Sequence, residues 1–156
     1  MTIRSAAYSD IDMKTELLLA EHLSGVAAVE KECFADPWSE KSLEILVGDS
    51  AFGIVALIDG KVVGYGGMMI VLDEGQITDI AVLPEYRRRG IGMEILKAMI
   101  TEARSRSVAT LFLEARESNL AARELYRACG FEDCGMRKSF YRHPTENAVL
   151  MNYKII

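Results

Sequence analysis

A chain of 156 residues, half of them hydrophobic, is long enough to bury a sizeable core as one domain and too apolar for a disordered segment. Its net charge of −5 argues against general nucleic-acid binding, which calls for a basic footprint, and no apolar run approaches the length of a membrane span. The three cysteines, Cys33, Cys129 and Cys134, have no metal-ligand spacing and cannot all pair, so free thiols and a cytoplasmic protein without metal are expected.

Residues 1–12 are polar and weakly patterned and read as an extension, with Met13 as an alternative start. The stretch from Lys14 to Phe34 fits one helix with an internal Gly25, or a short strand followed by a helix; periodicity leaves both open. Asp36-Pro37-Trp38 interrupts it, and Ser39 is placed to cap a short helix that runs to Val47 and ends at Gly48. Two β-rich runs, AFGIVALI and KVVGYGGMMIVL, then flank Asp59-Gly60, a strong hairpin signal. A turn at Asp73-Glu74-Gly75 leads to a strand over Gln76 to Leu83, so three antiparallel strands are predicted in succession.

The rest of the chain is organised around Ile77 to Met93, ITDIAVLPEYRRRGIGM, which reads as strand, turn and helix start. Gly90 and Gly92 let backbone N–H groups approach a ligand closely, the helix start adds the positive end of its dipole, and Arg87, Arg88 and Arg89 add fixed charge. Phosphate is the ligand that such a cradle suits, although a solvated turn explains the same residues. The helix that follows carries Ile91, Ile95, Leu96, Met99, Ile100 and Ala103 on one face. It leads to a short strand, Thr110 to Ala115, and that crossover predicts a parallel pair. Ser118 or Asn119 caps a second amphipathic helix with Ala122, Leu125, Tyr126 and Cys129 inward, stopped by Gly130. Two β-rich segments, about Phe131 to Tyr141 and Ala148 to Ile155, close the chain.

In that order the chain resembles the GNAT superfamily of acyl-CoA-dependent N-acetyltransferases, and within it the RimI-type ribosomal-protein-alanine N-acetyltransferases. The likeness is carried by Cys33-Phe34, Pro37-Trp38-Ser39-Glu40-Lys41-Ser42, Ile80-Ala81-Val82 and Pro84-x-Tyr86-Arg87-Arg88-Arg89-Gly90-Ile91-Gly92, then by Leu113-Glu114-Ala115-Arg116, Ser118-Asn119, Leu125-Tyr126 and Gly130-Phe131. It spans about Lys14 to Tyr153. It departs from the group at Ala115, Phe140 and Asn147, where Val, Tyr and Asp are usual. The resemblance implies an α/β (α+β) GNAT fold: a mixed, mostly antiparallel sheet of about seven strands splayed in the middle, with about four helices, as a single domain over residues 13–156. It also implies that Lys14 to Ala20 is a strand and His22 to Phe34 a helix.

The same resemblance implies acetyl-CoA as cosubstrate and a protein N-terminus, that of a ribosomal protein, as acceptor. An α-amine, with a reference pKa of about 7.7–8.0, asks less of a general base than a lysine at about 10.4. On the residues alone Glu114 reads as an ion-pair partner of Arg116 and Tyr126 as a core tyrosine; in the family the matching residues accept and donate the proton. Asn119 can cap its helix and also bond the pantetheine arm. Ile80, Ala81 and Val82 would offer backbone groups to that arm and to the oxyanion, provided the strand edge is open beside Thr110 to Ala115. Arg87, Arg88, Arg89, Gly90, Ile91, Gly92 and Met93 would hold the diphosphate, and Trp38 and Tyr141 would wall the acceptor. A lysine or small-amine acetyltransferase, or a CoA-binding module without catalysis, are the competing expectations.

Overall fold

The computed structural model describes residues 12–156. The extension expected over residues 1–12 lies outside the described residues except for Asp12. Seven strands are formed, β1 (Met13–Leu17), β2 (Ala51–Ile58), β3 (Lys61–Val71), β4 (Glu74–Val82), β5 (Thr110–Arg116), β6 (Glu132–Tyr141) and β7 (Glu146–Lys154), with helices α1 (Leu23–Cys33), α2 (Glu40–Leu43), α3 (Ile91–Ser105) and α4 (Leu120–Ala128). The strands make one sheet in the order β1-β2-β3-β4-β5-β7-β6. Among the described residues only the β4–β5 neighbours run parallel, joined through α3 as the crossover requires.

Local chemistry accounts for most boundaries. The ambiguous start is a strand and then a helix. Asp59 and Gly60 both adopt positive φ, 51° and 77°, the turn that suits the twist of a tight hairpin. The Ser39 hydroxyl accepts from the Ser42 N–H at 3.1 Å and starts α2, which tightens into a 3-10 turn over Glu44–Val47 before Gly48. The turn expected at Asp73-Glu74-Gly75 falls one step earlier, around Leu72 (φ 58°) and Asp73. Gly75 is already in β4, opposite Ile70, because it packs where a Cβ would collide with Met68 and Leu111.

Two layers sandwich the sheet. On one face, α3 buries Ile91, Ile95, Leu96, Met99, Ile100 and Ala103, and Ile95 and Met99 occupy the space left by Gly64 and Gly66 of β3. Each such buried aliphatic side chain contributes roughly 1.5–3 kcal/mol relative to exposure. On the other face Tyr65 reaches α1, and Gly67 lies against Leu46. Among the described residues no helix is long and apolar enough to cross a membrane.

The sheet is not continuous at its centre. β4 and β5 pair only over Glu74–Gln76 and Thr110–Phe112, after which Ile77 to Val82 runs on without β5. This is the predicted splay. Within β4 the pairs Met68↔Ile77 and Gly66↔Ile80 set one β3 residue, Gly67, against Thr78 and Asp79. That bulge bends β4 just where the gap opens.

Candidate active site

The open edge of β4 offers particular atoms. The Leu83 N–H donates to the Val63 carbonyl at 2.8 Å, and the register sets Ala81 opposite Tyr65. Because antiparallel ladders alternate, the peptide groups of Ala81 turn toward β3, whereas those of Ile80 and Val82 turn toward the gap. The expected backbone contribution therefore divides: Ile80 and Val82 present polar groups, and Ala81 lines the space while bonded within the sheet. The Val82 carbonyl is itself engaged, accepting from Arg87 Nε at 2.9 Å and from the Cys33 thiol at 3.5 Å.

Beyond β4 the chain passes through Pro84–Tyr86 into a loop with Arg88 at φ 66° and Gly90 at φ 80°, and α3 starts at Ile91. The first helical bond is Glu94 N–H to Gly90 carbonyl at 3.1 Å. The N–H groups of Ile91, Gly92 and Met93 thus have no partner inside the helix, the arrangement that receives anions. The three arginines are not equivalent. Arg87 braces Val82 and Cys33, Arg89 stacks on Tyr86 with its guanidinium 5.3 Å from the ring centre and outside the cavity lining, and Arg88 faces the cavity.

That cavity, about 730 Å³, runs from Arg87, Arg88, Gly90, Ile91, Gly92 and Met93 along Ile80–Val82 to Asn119 and Tyr126. A second, of about 450 Å³, is lined by Trp38, Asp79, Glu114, Arg116, Phe140 and Tyr141. The two share Phe34, Ile80, Asn119, Ala122 and Tyr126, so they meet at the mouth of the splay. Asn119 caps α4, its Oδ1 accepting from the Ala122 N–H at 3.1 Å, and so holds the helix that carries Tyr126.

Glu114 is not paired with Arg116. Its carboxylate accepts from Gln76 Nε2 at 3.2 Å and lies 3.5 Å from Arg137 Nε. Arg116 instead ties down the β6–β7 turn: it donates to the carbonyls of Pro144 and Arg142, pairs with Glu146 at 3.2 Å, and stacks 4.5 Å from the Tyr141 ring centre. Glu146 also accepts from the Ser118 N–H at 2.6 Å, and Ser118, through its side chain first and then this N–H, lowers the Glu146 pKa below the ordinary carboxylate value ahead of Arg116. Tyr126 is buried, which pushes its phenol well above the usual value, with Tyr141 and Asp79 adding to the rise. Tyr141 is raised to about 12, first by burial and then by Glu114.

One group was missed by the sequence reading. Glu30 is fully buried in α1, where it accepts from the Trp38 N–H at 2.8 Å and the Tyr65 hydroxyl at 2.5 Å, and Asp79, in the wall of the second cavity, is its neighbour. The signal was available: each is an acid in an apolar run, VAAVEKECF and ITDIAV, as Glu114 is in TLFLEA.

The parallel pair parts beside a helix N-terminus, and Glu114 and Tyr126 line the cavities that meet there; the comparisons with known proteins give the class, an acyltransferase. The model of the acetyltransferase (GNAT) family matches residues 21–131, and the chain belongs to that family, whose members take acetyl groups from acetyl-CoA. The chain is similar to the ribosomal protein bS18-alanine N-acetyltransferase of Escherichia coli (strain K12), 38% identical over 127 residues, which cover 79% of this chain and 84% of that protein. It is likewise similar to the putative ribosomal protein bS18-alanine N-acetyltransferase of Bacillus subtilis (strain 168), 35% identical over 133 residues, which cover 84% of this chain and 88% of that one. The crystal structure of the Escherichia coli ribosomal-protein-S18-alanine N-acetyltransferase superposes with a TM-score of 0.85 at 34% identity, covering 92% of this chain and 94% of that one. Ard1 from Thermoplasma volcanium shares the fold, with a TM-score of 0.82 at 21% identity over 93% of this chain and 99% of its own.

Proposed function

We propose that this chain is an acetyl-CoA-dependent N-terminal protein acetyltransferase that modifies the alanine α-amine of a small-subunit ribosomal protein in the cytoplasm, with residues 13–156 as its one catalytic domain. The observation that carries the reading is that two cavities meet at Tyr126, one walled by a phosphate-type loop and the other by Glu114. The substrate class comes from the relatives, which are named for the alanine of bS18.

The first cavity suits the cosubstrate. Its volume lies within the range of about 300–1,000 Å³ common for ligand sites, its walls are mainly apolar, and helix N–H donors and Arg88 lie at one end. Arg88 and the N–H groups of Ile91, Gly92 and Met93 would hold the diphosphate, and Ile80, Val82 and Asn119 the pantetheine amides. The bound thioester supplies an acetyl carbon open to attack. Glu114 takes the proton that the amine gives up, directly or through a water, and the N–H groups on the β4 edge receive the negative charge that builds on the acetyl oxygen. Tyr126 protonates the departing sulfur. Trp38 and Tyr141 flank the acceptor, and the Arg116 ties hold Tyr141 in place.

Release of thiol from acetyl-CoA, measured with short peptides that differ only in their first residue, tests this. A peptide beginning with alanine is expected to outcompete polyamines and peptides whose only amine is an internal lysine; the reverse order would overturn the α-amine assignment.

A further inference from the structure

Glu30 and Asp79 are two carboxyl groups in contact, and among the described residues no cation lies within ion-pairing distance of either. Like charges at such a separation cannot both persist away from water, so the pair shares a proton. Its location follows from the donors. Glu30 already has one oxygen accepting from Trp38 N–H and the other accepting from Tyr65 O–H, so both act as acceptors, whereas Asp79 has no such donor among the described residues and lines the acceptor cavity. Asp79 is therefore the acid. In that form one oxygen would donate to Glu30 and leave the other to accept at the cavity wall. Burial, then the Glu30 bond, raises Asp79 to about 9.

We propose that Asp79 is a positioning residue for acetyl transfer: as a neutral acid backed by Glu30, it accepts a hydrogen bond from the acceptor amine and so turns the nitrogen lone pair toward the thioester. The inference rests on the acetyl-transfer reading above. Neutrality matters chemically. A carboxylate at this place would favour the ammonium form, which cannot attack, and would oppose the negative charge forming on the acetyl oxygen. No proton leaves through Asp79; Glu114 on the facing strand takes it.

Other titrating or charged groups stand around the pair. Cys33 lies on α1, Tyr65 on β3, Tyr126 on α4 and Tyr141 on β6, while Asp36, Glu114, Arg116 and Arg142 line the same cavity. Cys33, Tyr65, Tyr126 and Tyr141 are each raised by burial, so their protonated forms persist where the pair loses its proton.

The test is the pH dependence of kcat/KM for an alanine-initiated peptide in wild type, Asp79→Asn and Glu30→Gln, together with the infrared band of a protonated carboxyl in the protein alone. Wild type is expected to lose activity on the alkaline side, where Asp79, raised well above the ordinary carboxylate range, gives up its proton. Asp79→Asn, which keeps a neutral acceptor of the same shape, is expected to stay active near neutral pH and to lack that alkaline fall. Glu30→Gln removes the partner that holds the proton, so the fall should move to lower pH. Opposite movements in the two variants, and a carboxyl band that vanishes in Asp79→Asn, are the expected signature. Profiles superimposable on wild type, or no band in wild type, would overturn the role of Asp79. Wild type inactive on every amine, with its band present, would instead show that the acetyl-transfer reading had failed and would remove the positioning role with it.

Discussion

Tyr126 is held in its protonated form, the form the proposed donor role requires, by surroundings that discourage its ionisation. Burial comes first, and the neighbouring Tyr141 and Asp79 add to it, so the phenol stays protonated through neutral and alkaline pH. Glu114, on β5, is held by Gln76 and Arg137 rather than by its neighbour Arg116. Replacing Tyr126 by Phe or Glu114 by Gln should each lower turnover by ~10²-fold or more, the usual loss for a proton-transfer group, while acetyl-CoA affinity measured by calorimetry stays near wild type. Unchanged turnover in both would remove them from the mechanism. The residue types in Glu114 and Tyr126 were legible as candidates in the sequence, but their partners were not. Arg116, two positions from Glu114 in an extended strand, has its own ties to Glu146 and the turn carbonyls, and only the β5–β7 register shows that.

At the scale of elements, the β4-to-α3 transition depends on backbone conformation. Gly90 has φ 80° with nothing near a would-be Cβ, so Gly90→Val should strain the loop without any collision and weaken acetyl-CoA binding; equal affinity would mark the loop as ordinary. The β6–β7 turn depends on Glu146, whose lowered pKa means that it stabilises the fold above the ordinary carboxylate range and loses that contribution as pH falls through its lowered value. Glu146→Gln should raise KM for the peptide more than it changes kcat, because Tyr141 would be held less firmly, and should blunt acid sensitivity in thermal melts. Asp79 has the opposite sign. Its folded pKa is raised above the unfolded value of 3.8, so folding takes up a proton between the two and stability falls as pH rises through that window. Asp79→Asn should therefore raise the melting temperature more at the alkaline end than at the acid end, each kcal/mol appearing as roughly 2–4 °C in a chain of this size. An equal shift at both ends would contradict the shared proton.

Across the whole molecule, the order of elements was legible because it is written locally: the Asp59-Gly60 hairpin, the apolar stripe of α3 and the crossover that forces β4 and β5 parallel. The splay was expected through family likeness, and its physical cause lies in pairing that ends at Gln76 and Phe112 and in a bulge at Thr78-Asp79. Neither is visible in composition or periodicity, since both depend on which strand lies opposite which. The three arginines show the same limit: one run of sequence yields a brace at Arg87, a cavity-facing Arg88 and a stacked Arg89. The most direct test of the site is a crystal structure of the protein with acetyl-CoA bound. The diphosphate is expected against Arg88 and the N–H groups of Ile91, Gly92 and Met93, with the sulfur beside the Tyr126 hydroxyl and the acetyl group facing Glu114. A diphosphate bound away from that loop, or a sulfur remote from Tyr126, would contradict it.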